Sequence, residues 1–248
     1  MLYLPTLLLF AFIYLIVETA CLFKQSENTC IKTSTHLSAN DKNFHIILTK
    51  FFILCYNKIE VIRMKNIQDK IINCSLCGEL PKLVENSIQY GNTKFIIIGE
   101  SPAKDGWIES KKAFYNTSGK LQGTGRILEK LLNNIGLSVS DIYFTECCKC
   151  IIEDRSKLGI CSKNCMPLLV EQLNDIPCEI ILTMGVHPTQ AILQTKIKKF
   201  ADYVGKEFDI ILGNKKYKLI PIYHPSPLNP KGYKENVPIF DKLKKNSM

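Results

Sequence analysis

TKFIIIGE, residues 93–100, is the stretch whose reading decides the fold. Phe95 is followed by three β-branched residues with no polar residue between them, the pattern of a strand covered on both faces in a parallel sheet. Three further runs outward from it read the same way: DIYFTE (141–146), CEIILTMG (178–185) and YKLIPIYHP (217–225). Helical patterns lie between them. GTGRILEKLLNNIG (123–136) sets Ile127, Leu128, Leu131, Leu132 and Ile135 on one face and stops at Gly136. CMPLLVEQLND (165–175) is expected to carry Pro167 in its first turn, HPTQAILQ (187–194) to form a short helix, and VPIFDKLKK (237–245) to close the chain. Strands alternating with helices predict an α/β fold: a three-layer α/β/α sandwich with a central, mostly parallel four-stranded sheet.

That order has a chemical consequence. Glu100, Glu146, Gly185 and His224, far apart in sequence, all fall at the carboxyl end of a predicted strand. Ligands of open α/β sheets bind along that edge. Any one polar residue there is ordinary; four suggestive ones on one rim predict a site.

The chain has 248 residues, 46% hydrophobic and 22% charged, so most of it should fold around a core. Its net charge of +9 is compatible with a polyanionic partner without establishing one. Residues 1–63 differ from the rest. Residues 1–17 carry no charge and lack the basic start of a secretory signal. They are near the minimum for a membrane span, and Lys24, Lys32, Lys42 and Lys50 would then hold the remainder of the chain in the cytoplasm. Alternatively, residues 1–63 derive from an upstream start codon, and Met64 opens a cytoplasmic, nucleoid-associated protein of residues 64–248. The first reading gives a membrane tether at residues 1–23; both stay open.

Eleven cysteines, an odd number in an enzyme-sized chain, do not make the disulfide framework of a small secreted domain. They cluster instead as Cys74-x-x-Cys77 and as Cys147, Cys148, Cys150, Cys161 and Cys165, a pattern of metal or iron–sulfur ligands.

IIIGESPAKDG (96–106), AFYN (113–116) with Gly119, FTECCKC (144–150), CMPLLVEQL (165–173) and YHPSPLNP (223–230) follow one another in an order that resembles the uracil-DNA glycosylase superfamily. The chain is most similar to its iron–sulfur branch, family 4, over roughly residues 70–245. The resemblance implies a monofunctional DNA glycosylase that acts as a monomer. Such an enzyme removes a damaged base from single- or double-stranded DNA after rotating its nucleotide out of the stack. It further implies that His224 stabilises charge on the departing base and that Glu100 orients or deprotonates a water. Phe114 would stack on the base, and Gly99 would let the backbone approach it. Pro225, Ser226 and Pro227 would press on the phosphates while Leu228 fills the vacated space. Cys74, Cys77, Cys150 and Cys165 would hold a [4Fe–4S] cluster, pinning a loop at 151–164; zinc on the same thiolates is the alternative. Lys120, Arg126, Lys149 and Lys231 are candidate phosphate contacts.

Three features set the chain apart from its relatives, the first being that the acidic pair family 4 carries soon after the GESP motif (99–102) is reduced to Asp105, followed by Gly106. Ala103 stands where strictly uracil-specific relatives carry a tyrosine, leaving room for a 5-methyl group. Glu146 stands where an asparagine usually reads uracil, and an ionised carboxylate can only accept hydrogen bonds. Glu146 therefore reads a base edge with two donors, is held neutral by burial, or serves another purpose. A second function also follows from Glu146: a DNA-binding damage sensor that keeps the cysteines and lacks turnover.

Overall fold

The structure is a computed structural model that describes residues 66–83 and 85–247, without the side chains of residues 104, 105 and 245–247. The expectations for residues 1–63 lie outside the described residues. Among the described residues no helix is long and apolar enough to cross a membrane.

A helix at 66–72 (α1) is followed by β1 (Ile88–Gln89), β2 (Phe95–Gly99), a π-helical turn (Lys104–Ile108) and α2 (Gly123–Asn133). Next come β3 (Tyr143–Glu146), a 3-10 turn (Arg155–Lys157), α3 (Leu158–Asn174), β4 (Ile180–Met184) and α4 (Val186–Leu193). The chain ends with the hairpin β5 (Phe208–Leu212) and β6 (Lys215–Ile222), then α5 (Lys231–Lys234) and α6 (Val237–Ser247). The strands form one sheet in the order β1-β3-β2-β4-β6-β5.

The four expected strands are its parallel centre, β3-β2-β4-β6. The sheet has six strands rather than four, because β1 and β5 add antiparallel edges to β3 and β6. The α/β class holds. Successive side chains of β2 feed opposite faces, as the twofold pleat requires. Phe95 and Ile97 pack with Leu128, Leu131 and Leu132 of α2 and with Phe240 and Leu243 of α6. Ile96 and Ile98 pack with Leu169 and Leu173 of α3 and Ile192 of α4. The sheet is thus the middle of three layers.

Two local expectations are corrected. Half of the loop expected at 151–164 is helical, since α3 begins at Leu158. Pro167 consequently lies inside α3 rather than in its first turn. Its missing N–H leaves one helical hydrogen bond unmade.

Candidate active site

The parallel register fixes the rim. Gly99 stands opposite Glu146, and the ladder runs on past both strands through Cys147 N–H to Gly99 O (2.9 Å) and Cys148 N–H to Glu100 O (2.9 Å). Gly185 N–H bonds Ile222 O (2.9 Å), tying the ends of β4 and β6 together. Glu100, Glu146, Gly185 and His224 all line one cavity of ≈ 800 Å³, ample for a pyrimidine and a water. Ala103 and Phe114 line it too.

Phe114 holds a left-handed backbone (φ 68°), which a non-glycine residue adopts at a cost. Its carbonyl accepts from Gln122 N–H at 2.8 Å, and its Cβ leaves no room for a side chain at Gly125. The ring packs on Phe144 with centroids 4.3 Å apart; Phe144 in turn meets Trp107, the chain's one tryptophan, at 5.4 Å. One cavity wall is therefore aromatic.

Glu100 is held from outside by two residues that sequence reasoning missed. The Arg155 guanidinium lies 2.9 Å from Oε1, and His187 Nε2 is 4.0 Å from Oε2. Both residues line the cavity, and both also line a second groove, ≈ 1020 Å³, beside α3 and α4. Arg155 lies in a polar segment with no periodicity to mark it.

Glu146 is sealed in. Burial pushes its carboxyl up to about 8, against the nearby Lys149 ammonium, which lowers it, while Glu100 adds to the rise. Its Oε2 is buried without a hydrogen-bond partner. A Cβ at Gly99 would lie 2.1 Å from that oxygen. Gly99 itself is absent from the cavity wall: the room its bare Cα leaves is taken by Glu146, not by a ligand.

His224 follows β6, and burial lowers its imidazole below the ordinary value, keeping it neutral at pH 7; Glu100 opposes this and Arg155 reinforces it. Its carbonyl accepts from Ser226 N–H (2.8 Å) and Asn229 Nδ2 (3.1 Å). Asn236, fully buried, clamps the preceding residue: Nδ2 donates to Tyr223 O (2.7 Å) and Gly232 O (2.9 Å), and Oδ1 accepts from Tyr223 N–H (3.0 Å). Nothing in the sequence pattern marked Asn236. Pro227 rests against Gly123 at the start of α2, Ser226 Oγ accepts from Leu228 N–H (3.2 Å), and Leu228 is 95% exposed.

The cysteines gather elsewhere. An antiparallel bridge between Lys82 and Cys150 ties the segment after Cys77 to the continuation of β3. Burial pushes the Cys150 thiol up to about 11, with Cys165, Cys77 and Cys74 adding to the rise, so the four expected ligands stand within electrostatic reach of one another. Cys161, which burial pushes up to about 12, meets Cys77 as a fifth thiol there. Cys147 packs instead in the core under α3. Among the described residues no three His, Cys, Asp or Glu side chains are grouped tightly enough to hold a single ion. Lys149 is not a phosphate contact: it is buried, and its Nζ donates to Thr145 Oγ1 (2.7 Å) and to Glu146 O. Lys120, Arg126 and Lys231 are exposed.

Comparison with known proteins adds an independent line. The family pattern described as "Uracil DNA glycosylase superfamily" matches residues 86–245. The type-4 uracil-DNA glycosylase of Saccharolobus solfataricus is 31% identical over 170 residues, covering 64% of this chain and 74% of its own. That of Archaeoglobus fulgidus is 29% identical over 170 residues, covering 66% and 81%. The crystal structure of Pedobacter heparinus SMUG2 covers 62% of this chain and 74% of its own, with a TM-score of 0.41 at 14% identity.

Proposed function

The chain belongs to the uracil DNA glycosylase superfamily, and from that membership we propose that it hydrolyses the N-glycosidic bond of a uracil or related damaged base flipped out of DNA, leaving an abasic site. The observation that carries this reading is the meeting of Glu100 and His224 on the wall of one cavity, near enough for Glu100 to act on the His224 imidazole, with Phe114 on the same wall.

In this reaction the bond between sugar carbon and base nitrogen breaks, and its electron pair leaves with the base. Neutral His224 donates an N–H to the base oxygen where that charge collects, an electrostatic effect on the transition state. Glu100 orients a water toward the sugar carbon and takes its proton as the new C–O bond forms. Arg155 and His187 limit the directions in which the Glu100 carboxylate can turn. Stacking on Phe114 contributes about 1–3 kcal/mol toward holding the extruded base. Leu228, 95% exposed on a loop with two prolines, would fill the gap the base leaves.

Cys74, Cys77, Cys150 and Cys165 fit a [4Fe–4S] cluster by donor chemistry: four thiols from three chain segments, two half-buried and two buried, with Cys150 in electrostatic reach of the other three and its raised pKa of the kind a metal's charge would reverse. The cluster would be structural, joining the 74–77 segment to α3.

The test uses purified, cluster-loaded protein and oligonucleotides with one modified pyrimidine, single-stranded and duplex, treated with alkali after reaction. Strand breaks at uracil are expected, and His224→Ala should lower the rate by roughly 10²–10³-fold. DNA binding with no abasic product from any lesion would sink the proposal in favour of a sensor.

A further inference from the structure

Glu146 presents a problem that the rest of the cavity does not. Its carboxyl group ends β3 against the bare Cα of Gly99, lines the cavity, and buries Oε2 with no partner. The charged and titratable groups facing it are few. Lys149 and Cys147 come from its own chain segment and Glu100 from the end of β2, with Arg155 and His187 next to Glu100, while His224 lines the same cavity. Lys149 spends its Nζ on Thr145 Oγ1 and on the backbone oxygen of Glu146.

A carboxylate with an orphaned buried oxygen costs far more than a neutral acid in the same place. Within a neutral acid, the orphan is the carbonyl oxygen, because a carbonyl tolerates lost partners better than a donor does. Oε2 is then the carbonyl oxygen, and the proton belongs to Oε1. An asparagine at this position would offer both a donor and an acceptor; in this acid, with Oε2 the buried carbonyl oxygen, the other oxygen is a donor.

On the glycosylase reading, we propose that Glu146 reads the extruded base as a neutral carboxylic acid, its Oε1–H donating to the 4-oxo group of uracil-class pyrimidines and finding no acceptor on a 4-amino group. Burial, which brings the carboxyl up to about 8, agrees with the geometry. The protonated acid is therefore the working form below that value. Above it, the carboxylate repels O4 and can accept only from an amino group.

The experiment tracks single-turnover excision of uracil and of cytosine from the same oligonucleotide, across about two pH units either side of that value. In wild type, uracil excision should fall by about tenfold per pH unit above about 8. Glu146→Gln keeps a donor and cannot ionise, so its uracil excision, whatever the rate at neutral pH, should show no alkaline fall. An alkaline fall that persists in the variant assigns the titration elsewhere, with Lys149, lowered to about 8 by burial, the first suspect, and overturns the proposal. So does a flat wild-type profile. A second readout needs no turnover: the infrared carbonyl stretch of a protonated acid, present at neutral pH in wild type and missing in Glu146→Gln. Its absence from wild type overturns the proposal even where uracil is excised. Absence of all excision by both proteins with the band present sinks the glycosylase reading instead, and the base-reading role with it.

Discussion

Glu100 and Glu146 leave the sheet one strand apart, at the ends of β2 and β3, and meet opposite conditions. Glu100 is met by Arg155 at 2.9 Å and His187 at 4.0 Å on the open side of the cavity. Glu146 is closed in, with an oxygen against Gly99 that nothing partners. A shared sheet therefore gives two like side chains different surroundings, an ion pair for one and burial for the other. The two proposed roles follow this contrast in surroundings: a base for water at Glu100 and a hydrogen-bond donor at Glu146.

The contrast can be broken at three points. The largest effect is expected from Glu100→Gln, which removes the proton acceptor and should slow excision by roughly 10²–10⁴-fold while leaving DNA affinity in place. Loss of affinity with unchanged single-turnover rate would show that Glu100 binds rather than reacts. Next, Gly99→Ala puts a methyl group 2.1 Å from Glu146 Oε2, so that side chain must move. Thermal denaturation should show a loss of about 1–3 kcal/mol. Undiminished stability would mean that Glu146 turns freely and is not pinned. The smallest effect belongs to Arg155→Gln. An exposed ion pair contributes little, so stability should change by less than about 1 kcal/mol. Its excision rate should fall less than that of Glu100→Gln, in kcat rather than KM; an unchanged kcat would remove Arg155 from any positioning role.

The centre of the sheet was legible because a strand buried on both faces reads as an unbroken apolar run, and β2, β3, β4 and β6 all do. The edges were harder. β1 is two residues long, too short to show any period. β5 alternates half-buried and exposed residues, and its two-residue Gly213-Asn214 turn was a hairpin signal available and unused. The early start of α3 was hidden because its first buried positions include Cys161, Ser162 and Cys165, small residues that an apolar count underweights. In the site, Glu100, Glu146, Phe114 and His224 were found by strand ends and motif order. Arg155 and His187 were not, since they reach Glu100 from 55 and 87 residues away and carry no local pattern. Lys149 was misread because a lysine between two cysteines gives no sign that its amine turns inward to Thr145.

The Asn236 clamp has a consequence for how activity is lost on heating. This one buried amide joins the residue before His224 to the start of α6, while Phe240 and Leu243 anchor that helix to the core. Fraying of the last helix would release the imidazole while the four-strand ladder stayed zipped. Inactivation should therefore precede melting, with α6 rather than the sheet limiting the temperature at which the protein works.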